Sequence, residues 1–113
     1  MAIQSRTRKE LRQEIGRNLG AMMTGQATGG STTTLIDTQS LLGGDDDYNG
    51  KYVRFTSGNA SGKTGIISDF VNSSNTATIK PIEGAAFSGS VADDDTYELW
   101  DEAYNPDFID AFI

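Results

Sequence analysis

Five short segments rich in β-branched and aromatic residues, each bounded by glycine-, serine- or aspartate-rich turns, constrain the fold of this 113-residue chain most strongly. Such segments are typical of β-strands, which are predicted at about residues 32–37, 51–56, 64–70, 76–81 and 96–100. Val53 and Phe55 alternate with polar neighbours in the second segment, so both should face the core. Because the connections are short, the sequence predicts a mainly β fold, a small five-stranded antiparallel barrel or sandwich that comprises residues 32–100.

An amphipathic helix is predicted before the strands, in an N-terminal helical arm at residues 1–23. Thr7 and Glu10 have the Ser/Thr-x-x-Glu spacing in which each side chain satisfies a free backbone donor at a helix start. An apolar stripe at helical spacing follows, made of Leu11, Ile15, Leu19 and Met22. A helix this short needs something to pack on, which is either the chain's own β domain or another subunit.

The arm is basic although the whole chain carries a formal charge of −7. Residues 1–23 hold five basic and two acidic side chains, whereas residues 24–113 hold four basic and fourteen acidic ones. Such asymmetry is compatible with a nucleic-acid-binding arm, but the favoured interpretation is docking on an acidic neighbour or a solvated basic face. Arg8 and Arg12 are therefore expected to join the apolar stripe in contacting a protein partner.

Two segments flank the β region. Residues 24–31, "TGQATGGS", have the composition of a flexible linker. Residues 101–113 contain a short helix start, with Asn105 as the cap and Pro106 in the first turn. An isolated helix of this length is unstable, so its apolar residues should insert into a neighbouring protein unless the natural chain continues past Ile113. Those residues are Phe108, Ile109 and Phe112.

The stretch "SGNASGKTG", residues 57–65, is similar to a phosphate-binding loop but departs from it in two ways. Only three residues separate its first glycine from Gly-Lys-Thr, where a phosphate-binding loop has four. A β-branched, strand-like segment follows, whereas phosphate binding needs the N-terminus of a helix. The stretch is therefore predicted to be a hairpin loop, in which Gly62 supplies a positive φ angle and Lys63 lies in solvent.

The composition gives little support to catalysis or metal binding. The chain contains no cysteine and no histidine, which removes the thiol nucleophile, the usual general base and the commonest metal ligand. The acidic triplets at residues 45–47 and 93–95 supply oxygen ligands that calcium prefers, but neither has the spacing of a calcium loop, so solvated loops are the favoured interpretation. We expect no enzymatic activity, no cofactor and no metal.

Five motifs of the β region follow one another in an order that resembles a known module. They are Asp47-Tyr48-Asn49-Gly50, Thr56-Ser57-Gly58, Ile67-Ser68-Asp69-Phe70, Thr76-Ala77-Thr78 and Tyr97-Glu98-Leu99. With these motifs, residues 32–100 resemble a β module that occurs repeatedly in structural proteins of tailed bacteriophages. With helices before and after the module, the chain looks like head–tail connector or neck proteins.

This resemblance implies a noncatalytic structural component of a virion, in the head–tail connector or neck or in the tail, that is made in the host cytoplasm. The implied partners are portal, capsid or tail proteins and further copies of the chain in a homo-oligomer. Nucleic acid is not an expected partner, nor is a membrane, because no run approaches the roughly 18 apolar residues of a span. The alternative is a capsid-decorating protein or a carbohydrate-binding module of a tail fibre. Carbohydrate binding would require exposed aromatic side chains on one face, such as Tyr48, Tyr52 and Phe87.

Overall fold

The computed structural model describes residues 7–82, 87 and 89–111. Within these residues, seven strands form one antiparallel sheet in the order β1-β7-β4-β5-β6-β3-β2, accompanied by helices α1 and α2. The elements in chain order are α1 (Arg8–Leu19), β1 (Met22–Gln26), β2 (Gly29–Gly30), β3 (Thr34–Ile36), β4 (Tyr52–Phe55), β5 (Thr64–Val71), β6 (Thr76–Pro81), β7 (Thr96–Trp100) and α2 (Pro106–Ala111).

The five predicted strands are confirmed as β3 to β7, but the prediction of five strands in all is wrong. Residues 24–31, predicted as a linker, contain most of β1 and all of β2. β1 pairs with β7 along its whole length, with Gly25 opposite Tyr97. A Cβ atom at Gly25 would collide with the Tyr97 side chain. Gly25 therefore permits the close approach of β1 and β7. The glycine content of residues 24–31 had instead predicted a flexible linker.

The sheet curls into a half-barrel because its two edge strands are consecutive in the chain. Only Ala27 and Thr28 separate β1, at one edge, from β2, at the other. The Ala27 N–H donates to the Asp95 carbonyl at 2.7 Å, and the Thr28 N–H donates to the Ile36 carbonyl at 2.8 Å. Two adjacent residues thus bond to opposite sides of the sheet, which brings its edges together.

The concave face of the half-barrel holds the main hydrophobic core. Val53 and Phe55 are both fully buried in it, as the alternation in β4 predicted. The Phe55 ring contacts Phe87 and Tyr97, with ring centroids 5.3 and 6.4 Å apart. On the opposite face of the sheet, Trp100 is fully buried as well. A second layer must therefore cover the outside of β7, and α1 provides it.

The start of α1 is confirmed, whereas its predicted end is wrong. Thr7 accepts a hydrogen bond from the Glu10 N–H at 3.1 Å, and the Glu10 carboxylate accepts one from the Thr7 N–H at 3.3 Å. The helix ends at Leu19 because Gly20 adopts a left-handed conformation, with φ of 65°, and its N–H bonds to the Arg17 carbonyl. Met22, predicted on the helical stripe, instead lies in β1 and is half-buried.

The stretch at residues 57–65 joins antiparallel β4 and β5, which confirms the hairpin prediction. Gly62 has a φ of 81°, and its N–H donates to the Phe55 carbonyl at 2.8 Å. Lys63 is exposed. No described helix is long and apolar enough to cross a bilayer.

Candidate interaction surfaces around the N-terminal helix

A buried ion pair joins α1 to β7. Arg12 is 3% exposed, and its Nε and Nη2 atoms donate to the two carboxylate oxygens of Glu98 at 2.8 and 2.7 Å. Arg12 was predicted to contact a protein partner. That prediction is wrong, because its guanidinium lies beneath the helix and is committed to a strand of the same chain.

Glu98 is fully buried, yet its carboxylate is well supplied with donors. Gln13 Nε2 donates at 3.0 Å and Trp100 Nε1 at 2.9 Å, in addition to Arg12. Burial alone raises the pKa of Glu98, but the hydrogen bonds from Arg12, Trp100 and Gln13 outweigh it and hold the pKa below its ordinary value. The charged form is therefore the one the fold requires.

Gly16 brings α1 close to the outer face of the sheet. A Cβ atom at this position would lie 2.7 Å from Cη2 of Trp100 and 2.5 Å from Cβ of Met22. Arg12 and Gly16 lie one turn apart, so they define the face of α1 that packs on the sheet. The helix is thus positioned by a glycine and a buried arginine rather than by its apolar residues.

The apolar stripe consequently lies to one side of the face of α1 that packs on the sheet. Leu11 is half-buried, Ile15 is 37% exposed and Leu19 is 49% exposed. An amphipathic helix that packed only on its own domain would bury these side chains and expose its arginines. Here Arg12 is buried instead, while Ile15 and Leu19 keep part of their surface accessible on a helix that also contacts α2.

The C-terminal segment is also held against the sheet. The N–H of Asp107 donates to Asn105 Oδ1 at 2.9 Å, and Asp107 Oδ1 accepts from Arg54 Nη1 and Thr64 Oγ1, both at 2.7 Å. Of the predicted contact residues, Ile109 is half-buried in α2. The side chains of Phe108 in α2 and Arg8 in α1 lie outside the described part of the structure. The whole of Phe112 lies outside it as well.

An open cleft of about 490 Å³ lies on the other flank of α1. Lys9, Gln13 and Arg17, which follow one another at four-residue spacing, line its helical side. The rest of the lining comes from residues 24–26 of β1, residues 39–40, Thr56, Thr96 and Tyr97. The cleft therefore combines cationic side chains with a strand at the edge of the sheet.

A second buried polar pair supports this cleft. The Tyr97 hydroxyl donates to Asp37 Oδ2 at 2.6 Å, while Asp37 Oδ1 accepts from the backbone N–H groups of Gln39 and Ser40 at 2.9 and 3.0 Å. Asp37 is fully buried, and burial together with this carboxylate raises the pKa of Tyr97. One carboxylate therefore fixes three of the residues that line the cleft, Tyr97, Gln39 and Ser40.

The acidic triplets lie in turns. Asp46 and Asp94 have φ angles of 63° and 74°. A hydrogen bond with Asp46 raises the pKa of Asp69, assisted by burial and by the negative charge of the Asp46 carboxylate. Among the described residues, no group of three or more acidic side chains is arranged to hold a metal ion.

Comparisons of the chain with protein families, with curated proteins and with solved structures find no match. A functional proposal therefore rests on the residues and geometry of this chain.

Proposed function

We propose that the protein is a noncatalytic structural component of a tailed-phage virion, in the head–tail connector or neck or in the tail region, that acts through protein–protein contacts. The observation that carries the proposal is the partly exposed apolar stripe of Leu11, Ile15 and Leu19, which lies beside the face of α1 that Arg12 and Gly16 fix on the sheet. The sequence resemblance of residues 32–100 to phage β modules supplies the virion context.

The helix α1 is preorganised for docking to a partner. Full burial of a Leu or Ile side chain contributes about 1.5–3 kcal/mol, and a partner groove that covers the exposed part of Leu11, Ile15 and Leu19 gains a fraction of that amount at each. Because the capping box and the buried ion pair already order α1, docking does not have to order the helix first. A fixed apolar helix face is one of the recurring recognition modes between proteins.

The proposed partners are portal, capsid or tail proteins and other copies of this chain. Capsid decoration and a fibre module remain the competing assignments. The carbohydrate-binding version of the latter is disfavoured, because Phe87 is 5% exposed within the core and Tyr48 packs edge-on against Phe70 with centroids 4.7 Å apart. Neither ring is free to form a flat sugar platform with Tyr52.

The test uses purified particles of the phage that encodes the chain. Mass spectrometry should detect the protein in them, and a particle map should place α1 against another subunit. Particles assembled with Leu19→Asp should contain much less of the protein than those assembled with Asn18→Asp, which adds the same charge to an exposed polar position of α1. Absence of the protein from particles, or equal incorporation of both variants, would contradict the proposal.

A further inference from the structure

We propose that the cleft between α1 and β1 binds an extended acidic segment of a different polypeptide, which adds a strand to the open edge of β1. This site goes beyond the proposed function. Successive residues of an α-helix are rotated by roughly 100° about its axis. The cationic residues of the cleft and the apolar stripe therefore lie on opposite flanks of the Arg12–Gly16 face of α1. The two surfaces can therefore be occupied and tested independently.

The first support is the hydrogen-bonding direction of β1. At one end of β1, the Ala21 carbonyl accepts from the Asp101 N–H. At the other end, the Ala27 N–H donates to the Asp95 carbonyl and the Ala27 carbonyl accepts from the Asp94 N–H. The backbone groups of Ala21 and Ala27 therefore point towards the β7 side. Backbone groups alternate in direction along a strand, so those of Thr24 and Gln26 point away from β7. Among the described residues β1 pairs with β7 alone. This edge contains no charge and no proline, the usual protections against strand addition.

The second support is the charge of the cleft. Lys9 and Arg17 line it together with amide and hydroxyl side chains, and no Asp or Glu is among its described lining residues. Three carboxylates contact lining residues from outside the cleft: Asp37 accepts from the Tyr97 hydroxyl at 2.6 Å, Glu98 from Gln13 Nε2 at 3.0 Å and Asp94 from Gln26 Nε2 at 3.2 Å. Asp37 and Glu98 are buried, whereas Lys9 and Arg17 are exposed on the cleft surface. In a chain with a formal charge of −7, a cleft whose charged lining residues are both cationic favours negatively charged partners.

The third support is that the walls are fixed before binding. The Asp37 carboxylate holds the Gln39–Ser40 turn on one side, and the Arg12–Glu98 pair holds α1 on the other. Gly25 lets the Tyr97 side chain pack directly against β1, because a Cβ atom there would collide with it. An incoming segment thus meets a formed site, and only the segment itself has to become ordered.

The chemistry identifies the occupant as a segment of another protein. A second copy would have to present its own acidic triplets, but Asp46 and Asp94 occupy left-handed turn conformations that do not form a strand. A nucleic acid lacks the alternating N–H and C=O groups that complement a strand edge. An extended peptide with a carboxylate at every second residue satisfies both the edge of β1 and the cations of α1.

The experiment titrates the ¹⁵N-labelled full chain with the peptide acetyl-Thr-Glu-Val-Glu-Val-Glu-Thr-amide. The amide signals of Thr24 and Gln26 should shift, and their exchange with solvent should slow. A matched peptide with Gln in place of each Glu should bind roughly fivefold more weakly, as expected for two partly exposed ion pairs. A peptide N-methylated at alternate residues keeps the charges but loses the donors, so it should not bind.

Two variants separate charge from strand pairing. The double variant Lys9→Gln/Arg17→Gln should bind the Glu and Gln peptides equally, whereas Lys80→Gln, an exposed lysine of β6 outside the cleft, should keep the fivefold preference. Thr24→Pro removes an outward N–H without touching the ladder to β7, and should weaken both peptides at least tenfold. If Thr24→Pro fails to fold, the N-methylated peptide makes the same comparison on the wild-type chain.

Three results would overturn the proposal. They are the absence of shifts at Thr24 and Gln26 with millimolar Glu peptide, shifts confined to other residues, and self-association of the chain through β1, which would assign the edge to a second copy. None of them bears on the apolar stripe, which is tested by incorporation of the Leu19 variant into particles.

Discussion

Arg12 and Glu98 are 86 positions apart in the chain, yet their side chains form a bidentate ion pair beneath α1 with N–O distances of 2.8 and 2.7 Å. The pair is almost wholly removed from solvent, with side-chain exposures of 4% and 0%. It fixes the orientation of the helix on β7. Because of that orientation, the apolar stripe faces outward on one flank and the cationic row borders the cleft on the other.

The first prediction is that breaking this pair from one side is costly. Arg12→Ala leaves the Glu98 carboxylate buried without its main partner, and should lower the free energy of unfolding by about 3–5 kcal/mol. The double variant Arg12→Met/Glu98→Leu removes both charges and should recover most of that loss. Urea denaturation followed by Trp100 fluorescence measures both. A double variant no more stable than Arg12→Ala would contradict the account of an unpaired buried charge.

The second prediction concerns acid stability. The pKa of Glu98 is lowered in the folded chain, so its contribution is fully present above its ordinary value of 4.5 and is lost as pH falls through the lower folded-state pKa. The melting temperature of the wild type should therefore fall as pH drops below about 4.5. Glu98→Gln should be less stable at pH 7 but should show a shallower fall in acid. Glu102→Gln, at an exposed position, should follow the wild-type profile.

The third prediction has the opposite pH dependence. The pKa of Asp69 is raised above its ordinary value of 3.8, first by the hydrogen bond to Asp46, then by burial and by charge repulsion. Its stabilising contribution is present below the ordinary pKa and is lost as pH rises through the folded-state pKa. Because Asp69 is exposed and its charge is screened by water, Asp69→Asn should raise the melting temperature only slightly relative to wild type at pH 7, and not at pH 3. Asp93→Asn, at an exposed turn position, should show no such pH-dependent difference.

The strands could be predicted from the sequence because their signal is local, whereas the candidate sites depend on distant pairings. β4 shows alternation within a few residues, and Val53 and Phe55 were placed correctly. β1 reads "MMTGQ", which has no alternation, and becomes a strand only through β7. The interior position of Glu98 in "TYELW" was the one available sign of a buried charge. Nothing in the local pattern indicated that Arg12 would be its partner.

The fourth prediction reverses the usual effect of a helical glycine. Gly→Ala within a helix normally stabilises by up to about 1 kcal/mol. At Gly16 the added methyl group would overlap Trp100 and Met22, so Gly16→Ala should destabilise the chain by about 1–3 kcal/mol. Asn18→Ala, at an exposed position of the same helix, should instead be stabilising by a few tenths of a kcal/mol. Equal gains for both variants would show that α1 does not approach β7 this closely.

The fifth prediction separates the two roles of α1. Leu19→Asp changes a half-exposed side chain at the C-terminal end of α1, where a negative charge is unfavourable, so the free energy of unfolding of the isolated chain should fall by about 1 kcal/mol. Deletion of residues 1–19 removes Arg12 and uncovers Trp100, and should abolish cooperative unfolding. These results are expected because one face of α1 packs on β7 and stabilises the fold, whereas the apolar stripe on its flank is partly exposed.

Calorimetry of both chains measures this difference directly. A deletion variant that melts like the wild type would show that α1 is a detachable arm, as the linker-like composition of residues 24–31 first suggested. A large destabilisation by Leu19→Asp would mean that the stripe belongs to the core. The proposed docking requires that deletion of α1 unfolds the chain and that Leu19→Asp lowers its stability only slightly. Loss of the Leu19 variant from particles can then be attributed to contacts with a partner rather than to unfolding.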